Sequence, residues 1–385
     1  MTPSSPQPRH ICVIGAGTRF LSGISYYTMR LANALALRHR VSVITIRQLL
    51  PAMFYPGRAR VGVPLMTGRF ARGVAVLDGL DWYWVPSLLR AVRFAVRNRP
   101  DVFVFQWWSA AALHSYVVLA WLARLRGARV VIEFHEIQDT GEARLAAARL
   151  YVRIVFPLLL RAASGFVVHS EADRAACRQR WGLREDVTAC IPHGPYDQYE
   201  TPQPQRAVAT AGAPCNVLFF GVIRPFKGVE DLIQAFDSFP PEEIARYRLT
   251  IVGETWEGWI LPRLLAERSR YRDRITFVNR YVHDDEIPSI FASADVVALP
   301  YRRSTASGPL SIAMSQGLPV IVTAVGGLPE AVQGYEGAVV VPPRNPAALR
   351  HALRTVAALR GQRFENPHSW DRTADRYDLL LAAVD

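Results

Sequence analysis

Two stretches of alternating strand and helix patterns, separated by a polar segment, constrain the fold of this chain most strongly. Short β-branched runs such as HICVIGAG, RVSVITIR and DVFVFQWW alternate with longer segments in which apolar residues recur at helical spacing. The alternation pauses at 200–213, which is polar and rich in Pro and Ala, and restarts at CNVLFFGVI. This pattern predicts two α/β domains, each built on a doubly wound parallel sheet.

The predicted domain boundaries follow from the same pattern. The first domain is predicted to span 1–199, the linker 200–213 and the second domain 214–365, while a last helical segment covers 366–385. In doubly wound sheets, ligands bind outside the carboxyl ends of the strands. We therefore expect the two domains to face a cleft that holds the ligand.

The composition is typical of a globular intracellular protein. Half of the 385 residues are apolar and a fifth are charged, which is enough apolar material for two cores. The N-terminal residues lack the pattern of a secretory signal, and the apolar runs are too short or too interrupted to cross a bilayer. The four cysteines show no metal-ligand spacing and suit a reducing compartment. We expect a cytoplasmic protein, either free or peripheral on the inner face of the plasma membrane.

The positive charge lies entirely in the first half of the chain. Residues 1–199 carry 25 arginines and 12 acidic residues, a net charge of +13, whereas the whole chain carries +12. Such one-sided charge favours an anionic partner, such as a membrane surface or a lipid phosphate. Nucleic acid is not expected, because no nucleic-acid motif accompanies the charge. An arginine-rich surface that only reflects codon usage is the alternative.

Two segments of this half combine apolar residues with regularly placed arginines. A helix of this composition can lie in a membrane interface. Ordinary amphipathic helices that cover a sheet show the same pattern, so both interpretations stay open. The segments are WYWVPSLLRAVRFAVRNR and ARLAAARLYVRIVFPLLLR.

Lys227 is the only lysine in the chain, and all other basic side chains are arginine. It lies in the segment FFGVIRPFKG, on a Pro/Gly loop that follows an apolar run. Lysine provides a compact ammonium group that can act as a point charge against phosphate, which arginine does not. The position therefore favours a phosphate site, and chance survival of a single lysine is the alternative.

Common cofactor motifs are absent or incomplete. The segment GAGTRF begins like a dinucleotide-binding fingerprint, but Phe20 replaces the third glycine, and Arg47 stands where an acidic residue would bind ribose. The chain has no Asp-x-Asp pair, no Walker-type loop and no Gly-x-Ser-x-Gly motif. We therefore expect no cofactor and no metal. A bound diphosphate would be neutralised by Arg and Lys side chains and by helix N-termini.

The segment FFGVIRPFKGVEDLIQAF resembles the second-domain loop of retaining glycosyltransferases of family 4. In that family a strand is followed by a glycine, a basic residue, Pro-x-Lys-Gly and a helix. The resemblance extends along the chain and implies the GT-B fold, in which two Rossmann-like doubly wound domains face a cleft. The last segment, SWDRTADRYDLLLAA, is similar to the helix that crosses back to the first domain. The other similar segments, in family order, are GISYYTMRLANAL, EFHE, VVHSEADR, IPHGPYDQY, IVGE, FVNRYVHDDEIPSIFASADVVALPY and PVIVTAVGGLPEAV.

The resemblance implies a set of catalytic and donor-binding residues. Arg224 and Lys227 would hold the diphosphate of the donor, and His135 would face the cleft near the sugar, unless it is an ordinary core histidine. Glu330 belongs to a loop whose alternative interpretation is a plain strand-to-helix turn. The remaining implied donor-site positions lie where the family's backbone or helix starts approach the ligand: Gly23, Gly221, Tyr281, Val282, Ser307 and Gly308.

Two departures from the family pattern bear on donor recognition. The family usually carries two glutamates in the second domain, and this chain has Ser304 and Ile312 at those positions. Neither side chain can accept hydrogen bonds as a carboxylate does. In addition, Val222 replaces the usual arginine after the glycine, so we expect Arg224 to reach the same phosphate.

The resemblance implies transfer of a sugar from a nucleotide-sugar donor to an acceptor hydroxyl, with retention and without a metal. In this mechanism the leaving phosphate takes the acceptor's proton, so no carboxylate nucleophile is needed. The acceptor is expected to be lipid-linked or anionic, as in cell-envelope glycan synthesis. A soluble acceptor, as in natural-product tailoring, is one alternative. A non-catalytic GT-B protein that binds a nucleotide or a partner is another.

Overall fold

The computed structural model describes residues 7–17, 23–48, 68–136, 145–199, 213–304 and 306–384. The chain divides into two compact units. The first comprises Met1–Gly194 with Trp370–Asp385, and the second comprises Pro195–Ser369. The predicted linker at 200–213 lies outside the described residues, except for Ala213.

The first unit contains a parallel sheet of seven strands in the order β3-β2-β1-β4-β5-β6-β7. Most of its strands are continuous apolar runs that are buried on both sheet faces, as expected for a parallel sheet covered by helices. The third strand was not predicted, because Asp78 and Asp81 interrupt its apolar pattern. The strands are β1 (His10–Ala16), β2 (Arg40–Gln48), β3 (Ala75–Asp81), β4 (Val102–Trp107), β5 (Arg129–Phe134), β6 (Gly165–Val168) and β7 (Thr188–Cys190).

The second unit contains a parallel sheet of six strands in the order β10-β9-β8-β11-β12-β13. Each strand corresponds to a predicted apolar run, so the sequence pattern predicted all six strands but not their order. The strands are β8 (Cys215–Phe220), β9 (Tyr247–Val252), β10 (Ile275–Val278), β11 (Val296–Leu299), β12 (Val320–Thr323) and β13 (Ala338–Val341).

Helices connect the strands and cover both sheets. Both units are therefore doubly wound α/β domains, as predicted. The helices are α1 (Gly23–Leu35), α2 (Val85–Asn98), α3 (Leu113–Leu125), α4 (Ala146–Ala162), α5 (Glu171–Trp181), α6 (Val229–Asp237), α7 (Pro241–Ile244), α8 (Leu261–Arg268), α9 (Ile287–Ala292), α10 (Gly308–Ser315), α11 (Leu328–Ala331), α12 (Pro346–Ala357) and α13 (Trp370–Ala383).

The two faces of the first sheet are covered by different helices. The helices α2 to α5 share one buried apolar cluster, which includes Ala91, Leu119, Phe156 and Cys177. The helices α1 and α13 share the cluster on the opposite face. This division follows from right-handed crossovers, because α1 connects strands in one direction along the sheet and α2 to α5 connect them in the other. The last helix of the chain thus packs in the first unit, as the resemblance implied.

The observed unit boundary falls a few residues before the predicted end of the first domain at 199. Tyr196 is buried and lies 3.7 Å from the position of a Cβ on Gly308, and the side chain of Gln316 donates to the carbonyl of Tyr199. These contacts join 195–199 to α10, so the segment belongs to the second unit. Such contacts depend on tertiary packing and leave no pattern in the sequence.

No helix within the described part of the chain is long and apolar enough to span a bilayer.

The buried face of α13 should be essential to the stability of the first unit. Leu381 is 1% exposed in the core cluster, whereas Leu379 on the same helix is 72% exposed. Leu381→Ala should lower the free energy of unfolding by about 2–5 kcal/mol, because it leaves a cavity among packed side chains. Leu379→Ala should change it by no more than about 0.5 kcal/mol. Urea unfolding of both variants measures the difference, and equal effects would contradict the packing of α13.

Candidate functional site

The strand order of the second sheet reverses between β8 and β11, which are hydrogen-bonded neighbours. The loops that follow these strands diverge at such a point and leave a crevice at the carboxyl edge of the sheet. The loop after β8 contains Arg224 and Lys227, and the loop after β11 contains 300–304 and 306–307. The sequence-predicted phosphate residues therefore lie at the position where this type of sheet binds ligands.

Lys227 is brought to the crevice by a tight backbone contact. It ends a 3₁₀ turn, Pro225–Lys227, and Gly228 follows with φ of 64°. A Cβ at Gly228 would lie 2.0 Å from the carbonyl oxygen of Pro300, so only glycine allows the two loops to touch. As a result the Lys227 Nζ lies 3.8 Å from the ring centroid of buried Tyr301. No described carboxylate forms an ion pair with Lys227, so its charge is available to a ligand.

Arg224 occupies the same loop but already has an anionic partner. Its Nε lies 2.9 Å from Glu257 Oε1, and the side chain also lies over the rings of Phe226 and Trp256 at 5.3 and 5.7 Å. A phosphate that binds Arg224 must therefore share it with Glu257. Sequence reasoning missed Glu257, because it lies on the loop after the neighbouring strand β9.

Two further arginines at this site were not predicted. Arg302 forms two hydrogen bonds with Asp231, of 3.0 and 2.7 Å, and its Nη1 lies 2.7 Å from Glu230 Oε1. It therefore fastens the loop after β11 to α6. Arg303 is exposed, and its guanidinium lies 5.0 Å from the centroid of Phe226. The pair of arginines directly after the β11 run, in YRRST, was the available sequence signal.

The cations at this site surround one aromatic ring. Arg224, Lys227 and Arg303 lie 5.3, 5.4 and 5.0 Å from the centroid of Phe226. The ring faces attract the cations and keep them close to each other. A group of this kind suits a ligand with several negative charges, such as a diphosphate.

The start of α10 offers fewer N–H groups than the sequence predicted. The Ser307 hydroxyl accepts a 3.3 Å hydrogen bond from the N–H of Leu310, and Pro309 has no N–H. Of the first three helical residues, only Gly308 therefore keeps an N–H that the cap does not use. Ser307 is buried, and its Oγ lies 3.3 Å from the hydroxyl of Tyr301, so this helix cap also joins the end of the loop after β11 to its beginning.

The positions of the two missing glutamates differ in their surroundings. The Ser304 hydroxyl donates to the carbonyl of Ala306 at 3.0 Å, at the same edge of the sheet as Lys227. Ile312 lies on the buried side of α10, and its side chain has no polar group. The backbone at Gly326 approaches Ser304 so closely that a Cβ would lie 1.7 Å from the Ser304 carbonyl oxygen. The loop that begins with Gly326 therefore lies against the Ser304 loop.

The other predicted donor-site residues of the second unit lie at the same edge. Gly221 follows β8, and its N–H donates to the carbonyl of Val252 at 3.0 Å. Tyr281 and Val282 follow β10; the ring of Tyr281 lies 5.7 Å from His283, and Val282 is buried. Glu330 is half-buried in the first turn of α11. These positions agree with the expected loops, and their roles as donor contacts stay predictions.

In the first unit, three histidines come together around a buried glutamate. His135, His169 and His193 follow β5, β6 and β7, which are neighbouring parallel strands. Their rings lie between 4.7 and 6.0 Å apart, and Tyr27 of α1 contacts all three. Only His135 was predicted. The signal that could have found the others is a histidine after each of three successive strand patterns, in EFHE, VVHS and IPHG. Gly23 begins α1, the helix that carries Tyr27.

The hydrogen bonds of this cluster determine where its protons lie. The His169 Nδ1 hydrogen-bonds the carbonyl of Ile191 at 2.9 Å and must donate to it, so a neutral His169 has its lone pair on Nε2. That Nε2 lies 3.2 Å from His135 Nδ1, which must then be the donor. The remaining nitrogen, His135 Nε2, lies 3.4 Å from Glu133 Oε2. Among the described residues this Nε2 is buried without a hydrogen-bond partner, and the carboxylate of Glu133 is its nearest polar neighbour in the cluster.

Glu133 stays ionised although it is fully buried. Burial alone would raise its pKa, but the neighbouring His135 and His169 and the hydrogen bond from Tyr27 lower the pKa to about 2. The Tyr27 hydroxyl donates to Glu133 at 2.6 Å, and the Gln106 amide donates at 3.0 Å. Burial and the neighbouring His135 lower the pKa of His169 to about 4. The cluster thus holds one carboxylate that its neighbours neutralise.

Glu133, His135 and His169 could also donate to a metal ion, since their candidate ligand atoms lie within 4.8 Å of one another. Glutamate and histidine are common ligands of zinc. In this structure both carboxylate oxygens accept hydrogen bonds, from Tyr27 and Gln106, and the His169 Nε2 faces His135. A metal ion would have to displace these hydrogen bonds.

Both halves of the chain match family models of glycosyltransferases. Residues 22–194 match the glycosyl transferase 4-like domain, and residues 214–358 match the glycosyl transferases group 1. The first match lies within the first structural unit and the second match within the second unit. Together they extend from the first helix to α12 and include the phosphate loop and the histidine cluster.

Curated relatives include two kinds of bacterial glycosyltransferase. The chain is 27% identical to a D-inositol 3-phosphate glycosyltransferase of Xylanimonas cellulosilytica over 90% of this chain and 86% of that protein. It is 32% identical to O-antigen chain mannosyltransferase B of Escherichia coli, in an alignment that spans 42% of this chain and less than half, 45%, of that protein.

Solved structures of the same fold cover nearly the whole chain. A sucrose-phosphate synthase of Thermosynechococcus elongatus superposes with a TM-score of 0.64 at 20% identity, covering 98% of this chain and 94% of that chain. HepE of Anabaena, in complex with UDP, superposes with a TM-score of 0.62 at 18% identity and covers 98% and 96%. These likenesses confirm the predicted GT-B fold class.

The stability of the first unit should fall as the pH falls from about 6.5 to 4. The unfolded chain protonates His169 near its ordinary pKa of 6.5, whereas the folded chain does so only near 4, so the unfolded state binds more protons in this window. The loss should be on the order of 3 kcal/mol. Glu133, with its lowered pKa, extends the loss below pH 4.5. Urea unfolding across this range measures the free energy of unfolding as a function of pH. That free energy should depend less on pH in His169→Gln, and should depend on pH as in the unaltered protein in His351→Gln, because His351 is exposed. Equal dependence in His169→Gln and the unaltered protein would contradict this account.

Proposed function

Because this chain belongs to the glycosyltransferases of the GT-B fold, in agreement with family 4, we propose that it transfers a sugar from a nucleotide diphosphate donor with retention and without a metal. The proposed acceptor is a hydroxyl group of a lipid-linked or otherwise anionic molecule. The single observation that carries the donor assignment is the position of Lys227 at the strand-order reversal of the second sheet, without a carboxylate partner among the described residues.

Lys227 acts on the charge that develops during transfer. When the bond between the anomeric carbon and the donor phosphate breaks, negative charge builds on the departing diphosphate. A preorganised cation beside that charge lowers the barrier, and donors of this kind are often worth about 3–4 kcal/mol each. Arg303 adds a second exposed cation, and Arg224 can contribute once it shares its guanidinium between the phosphate and Glu257.

Retention is compatible with the missing carboxylates of this chain. In the proposed route the acceptor attacks from the face that the diphosphate leaves, and the departing phosphate oxygen takes the acceptor's proton. The phosphate thus serves as the base, and no carboxylate nucleophile is required. Ser304 and Ile312 therefore change how the donor is recognised and leave this step possible, because neither position supplies a group that the step uses.

The proposed role of His135 is to place its Nε2, which has no hydrogen-bond partner among the described residues, near the sugar. It lies at the carboxyl end of β5, and Glu133 Oε2 lies 3.4 Å from this Nε2 and orients the ring. In this arrangement Glu133 is a positioning residue that acts through His135. Tyr27 and Gln106 hold Glu133 in place through their hydrogen bonds.

The proposed acceptor class is supported by charge and by similarity. Residues 1–199 carry the net charge of +13, which favours an anionic acceptor or surface. The relatives include an O-antigen chain mannosyltransferase and D-inositol 3-phosphate glycosyltransferases, and the second name describes glycosyl transfer to a molecule that bears a phosphate. UDP-bound HepE makes UDP-sugars the first donors to examine.

A thermal-shift screen against UDP, GDP, ADP and TDP and their common sugars tests the donor assignment. Saturation at about 100 times Kd should stabilise the second unit by about 2.7 kcal/mol. A shift with one base that Lys227→Ala abolishes would support the proposal. Silence of the unaltered protein across the panel would instead favour a non-catalytic protein, an alternative that the absence of both glutamates keeps open.

Metal independence has a direct measurement. Initial rates with the donor found in the screen should be the same with EDTA and with added Mg²⁺ or Mn²⁺, because cationic side chains neutralise the diphosphate. The chain has no Asp-x-Asp pair to hold such a metal. A rate that disappears with EDTA and returns with one metal would contradict this part of the proposal.

Lys227→Ala should lower kcat by about 10²- to 10³-fold, because it removes one cation from the developing charge. Lys227→Arg should retain part of the activity, since it keeps the charge but not the compact ammonium geometry. Arg268→Ala, an exposed arginine at the end of α8, is the matched control and should leave kcat unchanged. Initial-rate kinetics with the donor found above measure all three. A Lys227→Ala enzyme with unaltered kcat would overturn the assignment.

A further inference from the structure

The outer surface of α2, α3 and α4 combines exposed apolar side chains with exposed arginines. Val85 on α2 is 68% exposed, Leu125 on α3 is 82% exposed, and Ile154 on α4 is 63% exposed. A side chain of this size usually faces a core or a partner, and contiguous groups of them mark interaction sites. The other exposed apolar residues of these three helices and the turn before α2 are Tyr83, Trp84, Leu89, Val118, Trp121, Leu150 and Leu158.

Hydrogen bonds show that the three helices form one continuous surface. The Trp121 indole N–H donates to the carbonyl of Leu158 at 3.1 Å, which joins α3 to α4. His114, at the start of α3, contacts the carbonyl of Trp82 at 2.7 Å and the hydroxyl of Tyr151 at 3.1 Å. It therefore joins the beginnings of α2, α3 and α4. We call this surface the α2–α3–α4 face.

The spacing of the exposed apolar residues follows the helix period. On α3 they recur at 118, 121 and 125, and on α4 they recur at 150, 154 and 158. Residues three or four apart lie on the same side of a helix, so each helix presents one apolar stripe to the outside. Each helix also has a second, buried stripe in the core cluster of the first sheet. The outer stripes are thus additional to the core.

The charge of the α2–α3–α4 face has one sign only. None of the three helices contains an aspartate or a glutamate. By contrast, α13 on the opposite face of the sheet carries Asp371, Asp375 and Asp378. The exposed arginines of the α2–α3–α4 face are Arg90, Arg93, Arg97, Arg124, Arg149, Arg153 and Arg161.

The positive charge continues beyond the ends of α2 and α3. There a cavity of about 620 Å³ is lined by Arg9, Arg99, Arg126 and Arg129. Asp101 is the one carboxylate in its lining, and it accepts a 2.7 Å hydrogen bond from the backbone N–H of His10. The surroundings of the apolar stripes therefore attract anions.

We propose that the α2–α3–α4 face docks on the surface of an anionic lipid bilayer. The apolar stripes enter the boundary between headgroups and acyl chains, and the arginines between them contact lipid phosphates. A second copy of this chain is not the occupant, because two such faces would bring seven arginines on each side together without a carboxylate. This proposal rests on the proposed function, because the purpose of docking is access to a lipid-linked acceptor.

Vesicle sedimentation of the full chain tests the docking surface. The experiment needs no donor, acceptor or turnover, so a negative result would speak against membrane docking and not against the donor assignment. The chain should pellet with vesicles that contain phosphatidylglycerol and should stay in solution with pure phosphatidylcholine. Binding should weaken as the salt concentration rises. Binding that ignores lipid charge and salt, or no binding at all, would overturn the proposal.

Matched variants locate the docking surface. Val85→Ser with Ile154→Ser should weaken binding by about tenfold or more for each residue, because each loses buried apolar area. Arg93→Gln with Arg97→Gln should weaken it by about fivefold for each arginine. Leu379→Ser, at an exposed leucine of acidic α13, and Arg268→Gln, on α8, are the controls and should bind as the unaltered chain does. All of these positions are exposed, so thermal unfolding should show that each variant is folded.

Two other outcomes would assign the face to a different occupant. If sedimentation velocity shows a dimer that the Val85→Ser and Ile154→Ser pair dissociates, the face joins two copies of this chain. If RNA competes fully with the vesicles and the apolar variant keeps its binding, the arginines alone bind a polyanion. Either result overturns the membrane proposal. Patch variants that bind vesicles as tightly as the controls do would also overturn it.

Discussion

The backbone contact between Gly228 and Pro300 supports most of the candidate donor site. Because glycine lets the loop after β8 lie directly on the loop after β11, Lys227 reaches Tyr301 at the reversal of strand order. Arg302 strengthens the same junction through its contacts with two carboxylates of α6. The cations around Phe226 are thus assembled from two loops.

In the first unit the corresponding organising group is Glu133. A fully buried carboxylate is costly unless its neighbours donate hydrogen bonds or carry positive charge, and here Tyr27, Gln106 and His135 do so. This requirement makes the cluster sensitive to acid. It also links α1 to the ends of neighbouring strands, so the residues that support His135 come from separate parts of the chain.

The surfaces of the first unit divide according to the helices that cover its sheet. The helices of one face carry exposed apolar residues and arginines, whereas α13 on the other face carries aspartates. Because α13 comes from the end of the chain, the net charge of residues 1–199 did not include the aspartates that lie on the opposite face of the same sheet. The two segments chosen from the sequence correspond to α2 with its preceding turn and to α4. Their neighbour α3 was not chosen, because it carries a single arginine, Arg124, near its end.

The sequence by itself determined the fold class, twelve of the thirteen strands of the two sheets and the loop of Lys227, because strand and helix periods and glycine-rich loops are local patterns. It did not reveal β3, whose aspartates break the apolar pattern, or the exact unit boundary. The pairing of Arg224 with Glu257, the grouping of three histidines around Glu133 and the burial of Ile312 were decided only by the tertiary structure. The physical reason is that parallel strands bring distant segments to one edge of a sheet, and the contacts made there leave no periodic trace in the chain.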